Sequence, residues 1–223
     1  MNTKQARLFI TLLSLSTLGS IGMMQDNQAS AKATKQSFAY VGTYTNKGRS
    51  KGIYLYLFDS SSGTLKENGV RECIKDPSFL AIHPNGKYLY AVSEVSETDG
   101  QKGGAVWSFS INEKTGALES INHQLSGGEG PCFIALDKSG RCALVANYNS
   151  GTIASFPIAE DGSLQKAKSV IQHKGSSIDL KRQQGPHAHS INFSPDGKWA
   201  LAADLGLDKI LVYKVDIKSD TLE

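Results

Sequence analysis

The sequence has few long apolar runs and no cluster of one charge. Beyond residue 31 no stretch is apolar enough to span a bilayer, so an integral membrane protein is not expected. The formal net charge is +3 over 223 residues, without a Lys- or Arg-rich run. Nucleic-acid binding is not expected either, because it needs a basic surface that follows the phosphates. With 39% hydrophobic residues, the chain can still build a sizeable core.

Cysteine is scarce, with three in the whole chain, so one would remain unpaired in any disulfide scheme. Cys132 and Cys142 fall on the two strands of one predicted hairpin, and counting back from its turn places Cys142 opposite Leu136. The two sulfurs would then lie roughly 13 Å apart along the strand, which is beyond disulfide reach. We predict that both are free thiols that substitute for buried apolar residues.

The signatures of several enzyme classes are missing. The sequence contains no phosphate-binding glycine loop, no G-x-S-x-G elbow and no H-E-x-x-H helix. Helical periodicity is also missing after residue 31, so the fold class is predicted to be all-β.

The first part of the chain, residues 1–31, is typical of a secretory signal peptide. Lys4 and Arg7 precede a short apolar stretch diluted with serine and threonine, and residues 29–31 (Ala-Ser-Ala) form a small-x-small cleavage site. The stretch is short for a transmembrane anchor, and no cysteine follows it to carry a lipid. We predict an exported protein, periplasmic or secreted, whose domain comprises residues 32–223 and is not held at a membrane.

What the chain contains instead is an internal repeat. Residues 77–94, 131–148 and 186–205 each suggest a short strand, a turn that ends in glycine, and a second strand. Their opening prolines are 54 and 55 residues apart. Between these stretches lies a second recurring hairpin, so one unit consists of four antiparallel strands, A to D. Such units predict a β-propeller, whereas sandwiches and barrels do not repeat at a fixed spacing.

The chain supplies about three and a half of these units. Residues 40–45 match residues 144–149 at strand B, so we expect the first unit to lack its A strand, a gap that closed propellers commonly fill from the C-terminus. Rings have typically four to eight blades, and an open ring exposes sheet edges. We therefore expect residues 32–223 to be the N-terminal part of a longer propeller, with assembly of two copies as the alternative.

Candidate site residues follow from where these strands end. Strand A is innermost, and its start lies beside the end of strand B because the two are antiparallel, so both segments converge on one mouth of the channel. The third repeat opens with His187 and His189, which would point to one face of a strand. The positions at the ends of the B strands add a column of polar residues: Asn147, Tyr148, Asp204 and Glu94.

We predict a small-molecule pocket at this mouth, with a histidine as acid or base and Asp204 orienting it. The alternative is that these groups line a water-filled channel and cap loop backbone. Zinc would need a third protein ligand beside the His-x-His pair, and Asp204 is the one candidate, so we predict no metal site and no cofactor. His83 is predicted to be a surface turn residue, and His123 and His173 have no partner visible in the sequence.

Several segments, taken in order, resemble one known family. They are residues 40–45 (YVGTYT), 50–54 (SKGIY), 77–86 (PSFLAIHPNG), 144–148 (LVANY), 182–190 (RQQGPHAHS) and 204–209 (DLGLDK). They resemble the seven-bladed β-propeller lactonases, which include the propeller type of 6-phosphogluconolactonase and the fungal carboxymuconate lactonising enzyme. The match runs through nearly all of residues 32–223, about the first half of a family member, and its most specific part is residues 182–190.

The resemblance implies metal-independent hydrolysis of a sugar lactone to the aldonic acid. Such a reaction needs a base for the attacking water and a cation or donors for the developing oxyanion. The resemblance assigns the base to His187 or His189 and oxyanion or anion binding to Arg182. Contacts with the substrate are expected from four residues: Asn147, Tyr148, Asp204 and Glu94.

The identity of the lactone stays open at this point. A phosphorylated sugar lactone is a cytoplasmic intermediate, whereas this chain has an export signal, so an extracellular sugar lactone or another lactone is expected. Further family motifs would follow Glu223, so residues 1–223 by themselves are expected to be inactive. Two alternatives remain, a lactone-forming cycloisomerase of the muconate type, which needs an arginine cluster for carboxylates, and a non-catalytic binding propeller.

Overall fold

The computed structural model describes residues 10–13, 36–46, 48–72 and 74–223. All of the regular secondary structure in these ranges is β-strand, which confirms the all-β prediction. The strands form four antiparallel four-stranded sheets and one two-stranded ribbon. No helix in the described ranges is long and apolar enough to cross a membrane. Apart from residues 10–13, the predicted signal peptide lies outside the described residues, as does Cys73.

Each four-stranded sheet is one repeat unit, or blade. Blade 1 contains β1 (Ile10–Leu13), β2 (Gln36–Val41), β3 (Ile53–Asp59) and β4 (Thr64–Arg71). Blade 2 contains β5 (Leu80–Ile82), β6 (Tyr88–Ser93), β9 (Ala105–Ile111) and β10 (Leu118–Leu125), and its middle connection carries the ribbon of β7 (Glu97–Thr98) and β8 (Gln101–Lys102). Blade 3 contains β11 (Pro131–Leu136), β12 (Cys142–Asn147), β13 (Thr152–Pro157) and β14 (Ser169–Gln172). Blade 4 contains β15 (Ala188–Phe193), β16 (Trp199–Asp204), β17 (Lys209–Asp216) and β18 (Thr221–Leu222).

The blades are arranged side by side with their A strands innermost. Within each blade the strands are hydrogen-bonded in the order A, B, C, D. The A strand β11 contacts the A strand β5 on one side and the A strand β15 on the other. This arrangement confirms the predicted four-stranded propeller blades.

Blade 1 differs from the expectation that its A strand is missing. Strand β1 pairs antiparallel with β2, with Ile10 opposite Val41 and Leu13 opposite Phe38, and so occupies the A position. An unpaired inner edge would leave a row of N–H and C=O groups without partners, and a short strand from the same chain satisfies them. The expectation that the first unit lacks its A strand therefore does not hold in this structure, where residues within the predicted signal peptide occupy that position.

The core lies between the blades. Side chains alternate between the two faces of a strand, so each blade presents an apolar surface to both neighbours. Three apolar clusters fill the interfaces between blades 1 and 2, 2 and 3, and 3 and 4; their largest members are Tyr40 and Phe109, Tyr90 and Phe156, and Leu144 and Ile191. The buried tyrosines also cross the interfaces: the Tyr40 hydroxyl donates to the Gly116 carbonyl at 2.7 Å, and the Tyr90 hydroxyl donates to that of Gly162 at 3.0 Å.

The hairpin that carries the two cysteines has a register one residue away from the predicted one. Leu136 pairs with Ala143, not with Cys142. The reason is the turn, in which the Asp137 carboxylate accepts a hydrogen bond from the Cys142 N–H at 2.8 Å while the Asp137 N–H donates to the Cys142 carbonyl at 3.0 Å. Cys142 is a buried free thiol, as predicted, and Cys132 is half-buried.

Replacing a leucine at a blade interface should be far more destabilising than replacing one on an outer strand. Leu144 is fully buried between blades 3 and 4, so Leu144→Ala should lower the free energy of unfolding by about 2–5 kcal/mol through lost burial and cavity formation. Leu65 on β4 is 44% exposed, and Leu65→Ala should lower the free energy of unfolding by less than about 1 kcal/mol. Urea unfolding followed by circular dichroism measures both; equal losses would contradict the location of the core.

Candidate functional site

A cavity of about 380 Å³ lies at the inner end of the blades, where the A strands begin. It is lined by Tyr44, Ser78, Phe79, Glu94, Cys132, Phe133, Tyr148, Arg182, His189 and Ser190. These residues come from the beginnings of A strands and from the loops around them, which is where the sequence placed a pocket. Four of the predicted site residues are among them: His189, Arg182, Tyr148 and Glu94.

Three successive blades contribute equivalent pairs of residues to this cavity. The pairs are Ser78 and Phe79, Cys132 and Phe133, and His189 and Ser190. The rings of Phe79 and Phe133 are in contact, with centroids 4.3 Å apart. The cavity therefore has an apolar patch from blades 2 and 3, beside the imidazole and hydroxyl that blade 4 supplies at the same positions.

Two β-bulges set the positions of Cys132 and His189. The pairing of β11 with β12 shifts between Pro131 and Phe133, and that of β15 with β16 shifts between Ala188 and Ser190. The residue between the two positions, Cys132 in β11 and His189 in β15, therefore lies in a β-bulge, and a bulge of this kind re-aims a side chain. His189 is thus equivalent to Cys132. The expectation that His187 and His189 lie on one regular strand is wrong, because His187 precedes β15 and His189 lies in the bulge.

Tyr148 brings together three of the predicted catalytic residues. His187 stacks on its ring at 4.6 Å and places Nδ1 2.9 Å from the Tyr148 carbonyl oxygen. His189 meets the same ring edge-on at 5.5 Å, and Arg182 Nη2 donates to the Tyr148 hydroxyl at 3.5 Å. Because a carbonyl only accepts, His187 Nδ1 carries the proton. The hydrogen bond with Tyr148 raises the pKa of Arg182, so its guanidinium stays charged.

Glu94 anchors the wall supplied by blades 1 and 2. Its Oε2 accepts hydrogen bonds from the Tyr44 hydroxyl at 2.8 Å and from the Ser78 hydroxyl. Burial, followed by this hydrogen bond with Glu94, raises the pKa of Tyr44 well above its ordinary value. The phenol therefore remains a donor at every physiological pH. A carboxylate, a phenol and a hydroxyl on one wall can bind the hydroxyl groups of a polyol.

Asn147 and Asp204 are not brought to the cavity. Asn147 is fully buried, and its amide donates to the Ser126 carbonyl and to the Thr152 hydroxyl, both at 3.0 Å. Both residues end a B strand and still belong to the buried ladder, whereas Tyr148, one position later than Asn147, reaches the cavity. Direct contact of Asn147 or Asp204 with a substrate is therefore not supported by this geometry.

Asp204 instead fixes the backbone that carries the histidines. Its Oδ1 accepts from the His187 N–H at 2.8 Å and from the Leu207 N–H at 3.0 Å. Its Oδ2 lies 2.6 Å from Nδ1 of His173, and both side chains are completely buried. Asp204 thus contacts the main chain of His187 and not its imidazole ring.

The partners of the other histidines could not be inferred from the sequence. His173 follows the D strand of blade 3 and stacks on Tyr213 at 6.0 Å. His83 is not a surface turn residue as predicted, since it is half-buried and its Nε2 lies 3.0 Å from the Gly140 carbonyl of the next blade. His123 pairs with Asp99 at 2.9 Å on the protein surface. In the described ranges no three His, Cys, Asp or Glu side chains are grouped to hold a metal ion.

A family model described as a seven-bladed β-propeller lactonase matches residues 38–223. The chain is 39% identical over 176 residues to the 6-phosphogluconolactonase of Bacillus subtilis, covering 79% of this chain and 48% of that protein. It is 35% identical over 181 residues to the 6-phosphogluconolactonase of Formosa agariphila, covering 81% of this chain and 50% of that protein. The structure of a periplasmic gluconolactonase from Pseudomonas aeruginosa matches with a TM-score of 0.76 at 32% identity, over 84% of this chain and 53% of that one. The chain thus spans about half the length of the relatives it matches.

Removing His173 should destabilise the protein strongly, because it leaves the buried Oδ2 of Asp204 without its His173 partner. We expect His173→Ala to lower the free energy of unfolding by about 3–5 kcal/mol. The surface pair of His123 and Asp99 provides the control, and His123→Ala should cost about 1 kcal/mol or less. Chemical denaturation of the two variants in parallel checks this; a small loss for both would show that Asp204 does not depend on His173.

Proposed function

Because the chain belongs to the seven-bladed β-propeller lactonase family, we propose that the full-length protein hydrolyses a sugar lactone to the corresponding aldonic acid at the cavity beside His189. The observation that carries this proposal is the arrangement at blade 4, where a bulge aims one imidazole into a cavity that also contains the Arg182 guanidinium. The relatives named 6-phosphogluconolactonase support lactone hydrolysis at the level of the family.

His189 is proposed as the general base. It lines the cavity, whereas His187 is not among the lining residues and has Nδ1 engaged with the Tyr148 carbonyl. In the first step the imidazole takes a proton from water while the water oxygen bonds to the lactone carbonyl carbon. In the second step the bond from that carbon to the ring oxygen breaks, and the imidazolium returns the proton to the leaving oxygen. An imidazole suits both steps because its ordinary pKa lies near neutral pH.

Arg182 is proposed to stabilise the oxyanion that forms between these steps. Its guanidinium is tethered to the Tyr148 hydroxyl, so it reaches the cavity from the side of the histidines. A preorganised cation at the developing negative charge lowers the barrier more than it stabilises the neutral substrate. Base and cation together supply what hydrolysis requires from the chain's own residues, and metal independence is part of the proposal.

The substrate hydroxyls are proposed to bind the opposite wall. Tyr44, Ser78 and Glu94 form one connected group there, and Ser190 adds a further hydroxyl. The apolar rings of Phe79 and Phe133 suit the C–H face of a sugar ring. We therefore propose an unphosphorylated aldonolactone, such as a gluconolactone, as the substrate.

Export of the protein is also proposed. It is supported by the signal-peptide pattern of residues 1–31 and by the likeness to a protein described as a periplasmic gluconolactonase. Outside the cytoplasm an unphosphorylated sugar lactone is the more accessible substrate, so the proposed location and substrate agree.

Substitutions of His187 and His189 should have clearly different effects on kcat. His189→Asn is expected to lower kcat for glucono-δ-lactone by about 100-fold or more, the range usual for loss of a general base. His187→Asn should lower it by less than about 10-fold, because that ring supports Tyr148 and does not contact the reacting atoms. Acid release in a pH-stat, corrected for spontaneous hydrolysis, measures both. The opposite ranking would assign the base to His187.

Substrate preference can be tested on the same full-length protein. Glucono-δ-lactone should have a higher kcat/KM than its 6-phosphate, because the described wall opposite Arg182 contains a carboxylate that would repel a phosphate. A cis,cis-muconate in the same assay series tests for a cycloisomerase. Tight binding of gluconate without turnover of any lactone would identify a binding propeller instead.

A further inference from the structure

Asp76 connects three segments that line the cavity, although it does not line the cavity itself. Its carboxylate Oδ1 accepts hydrogen bonds from the N–H groups of Thr45 at 2.6 Å and Asn46 at 3.0 Å, directly after Tyr44. Its backbone carbonyl accepts from the N–H of Ser78 at 2.8 Å and from that of Glu94 at 3.0 Å. The hydroxyls of Tyr44 and Ser78 both donate to the Glu94 carboxylate. Asp76 therefore bonds to all three segments whose side chains meet there.

Further bonds make this connection specific for an aspartate. The Asp76 N–H donates to the Thr45 hydroxyl at 3.1 Å, and that hydroxyl lies 3.2 Å from Asp76 Oδ1. The second carboxylate oxygen, Oδ2, accepts from the side-chain amide of Asn46. Hydrogen bonds to an ionised acceptor are roughly twice as strong as neutral ones. Both carboxylate oxygens therefore accept hydrogen bonds. An asparagine at position 76 would place an NH2 group opposite the side-chain NH2 group of Asn46, and two donors cannot bond to each other.

The backbone of Asp76 adopts an unusual conformation. Its φ is +44°, in the left-handed region, and its side chain is completely buried. Among the described residues three other aspartates have positive φ, and Asp99 and Asp208 are exposed while Asp220 is half-buried. Residues other than glycine rarely adopt this conformation, and such conformations cluster where a binding site is held in place.

The loop that Asp76 holds needs an anchor. Tyr44 is 53% exposed, so burial of its ring alone does little to fix it. Its hydroxyl nevertheless meets Glu94 of the next blade at 2.8 Å, which requires the segment after β2 to keep one conformation. The bonds from Asp76 to Thr45 and Asn46 provide that restraint immediately beyond Tyr44.

We propose that Asp76 is a positioning residue that holds Tyr44, Ser78 and Glu94 in the geometry that binds substrate hydroxyls. This inference rests on the proposed function, since it assigns the wall of the same cavity. Asp76 acts through its neighbours and does not touch the substrate. Its loss should weaken substrate binding more than it slows the chemical step at His189 on the opposite wall.

The test is Asp76→Asn in the full-length protein, with Asp99→Asn as the matched control. Asparagine tolerates positive φ as aspartate does, so the backbone is retained while the charge and one acceptor are lost. We expect amide hydrogen exchange at Thr45 and Asn46 to become at least about 10-fold faster, while that at Ser78 and Glu94, which are bonded to the carbonyl of residue 76, stays unchanged. KM for glucono-δ-lactone should rise about 10-fold or more, with kcat changed by less than about 3-fold. Asp99→Asn, also at positive φ but exposed and paired with His123, should change none of these values.

A reciprocal exchange supplies the rescue. In the double variant Asp76→Asn with Asn46→Asp, the side-chain hydrogen bond can form in the opposite direction, so slow exchange and a low KM should largely return. Asn46→Ala removes one bond and leaves Asp76 intact, so it should give a smaller effect of the same kind even if Asp76→Asn folds poorly.

Faster exchange with an unchanged KM would overturn the proposal and leave Asp76 as a purely structural anchor. Unchanged exchange at Thr45 and Asn46 would overturn it as well. If the unsubstituted protein hydrolyses no lactone, the proposed function fails by itself, while the exchange measurement still decides whether Asp76 holds this wall.

Discussion

The structure depends on the mutual burial of neighbouring blades. Each blade is a single sheet with apolar side chains on both faces, so each face requires a neighbouring blade to remove those side chains from water. The three clusters at the interfaces meet this requirement with large side chains such as Phe109 and Phe156. Blade 4 repeats the pattern on its outer face, where Leu201 stands in the place of the buried Leu144 and is 38% exposed. Side-by-side packing also brings the A strands together, and this places the beginnings of those strands around one cavity.

Buried aspartates join this apolar framework to the polar cavity. Asp76 and Asp204 lie beside opposite walls, and each accepts hydrogen bonds from backbone N–H groups of segments that carry lining residues or their neighbours. Loops at the end of a sheet have backbone groups that the ladder does not satisfy, and a buried carboxylate can accept several of them at once. The residues that contact the cavity can then be half-exposed and still adopt defined positions. Tyr44 and His189 are examples on the two walls.

The sequence predicted the blades well and the cavity in part, for physical reasons. Alternating apolar residues and turn glycines such as Gly140 and Gly197 are local signals, and they indicated the four-stranded unit and the mouth where A and B strands meet. His189, Arg182, Tyr148 and Glu94 were found because they lie at that mouth. The bulge at His189 could not be predicted, since it depends on the register between two strands. The pairing of His173 with Asp204 joins residues 31 positions apart in different blades, and no local pattern marks it. Asn147 and Asp204 were predicted to contact the substrate. The sequence does not distinguish a polar residue at a strand end that faces a ligand from one that binds the backbone of a loop.

The bulges at the start of β11 and β15 allow the side chain that faces the cavity to change without a change in the fold. The ladder is locally interrupted at a bulge, so the residue there can be exchanged without breaking the sheet, provided that its side chain fits the cavity. The repeat offers the same position in successive blades, and here it holds serine in blade 2, cysteine in blade 3 and histidine in blade 4. One fold can therefore acquire a hydroxyl, a thiol or an imidazole at neighbouring points around a single cavity by point substitution. Diversification within such a scaffold would proceed at these exchangeable positions, while the interfaces between blades stay under constant packing constraint.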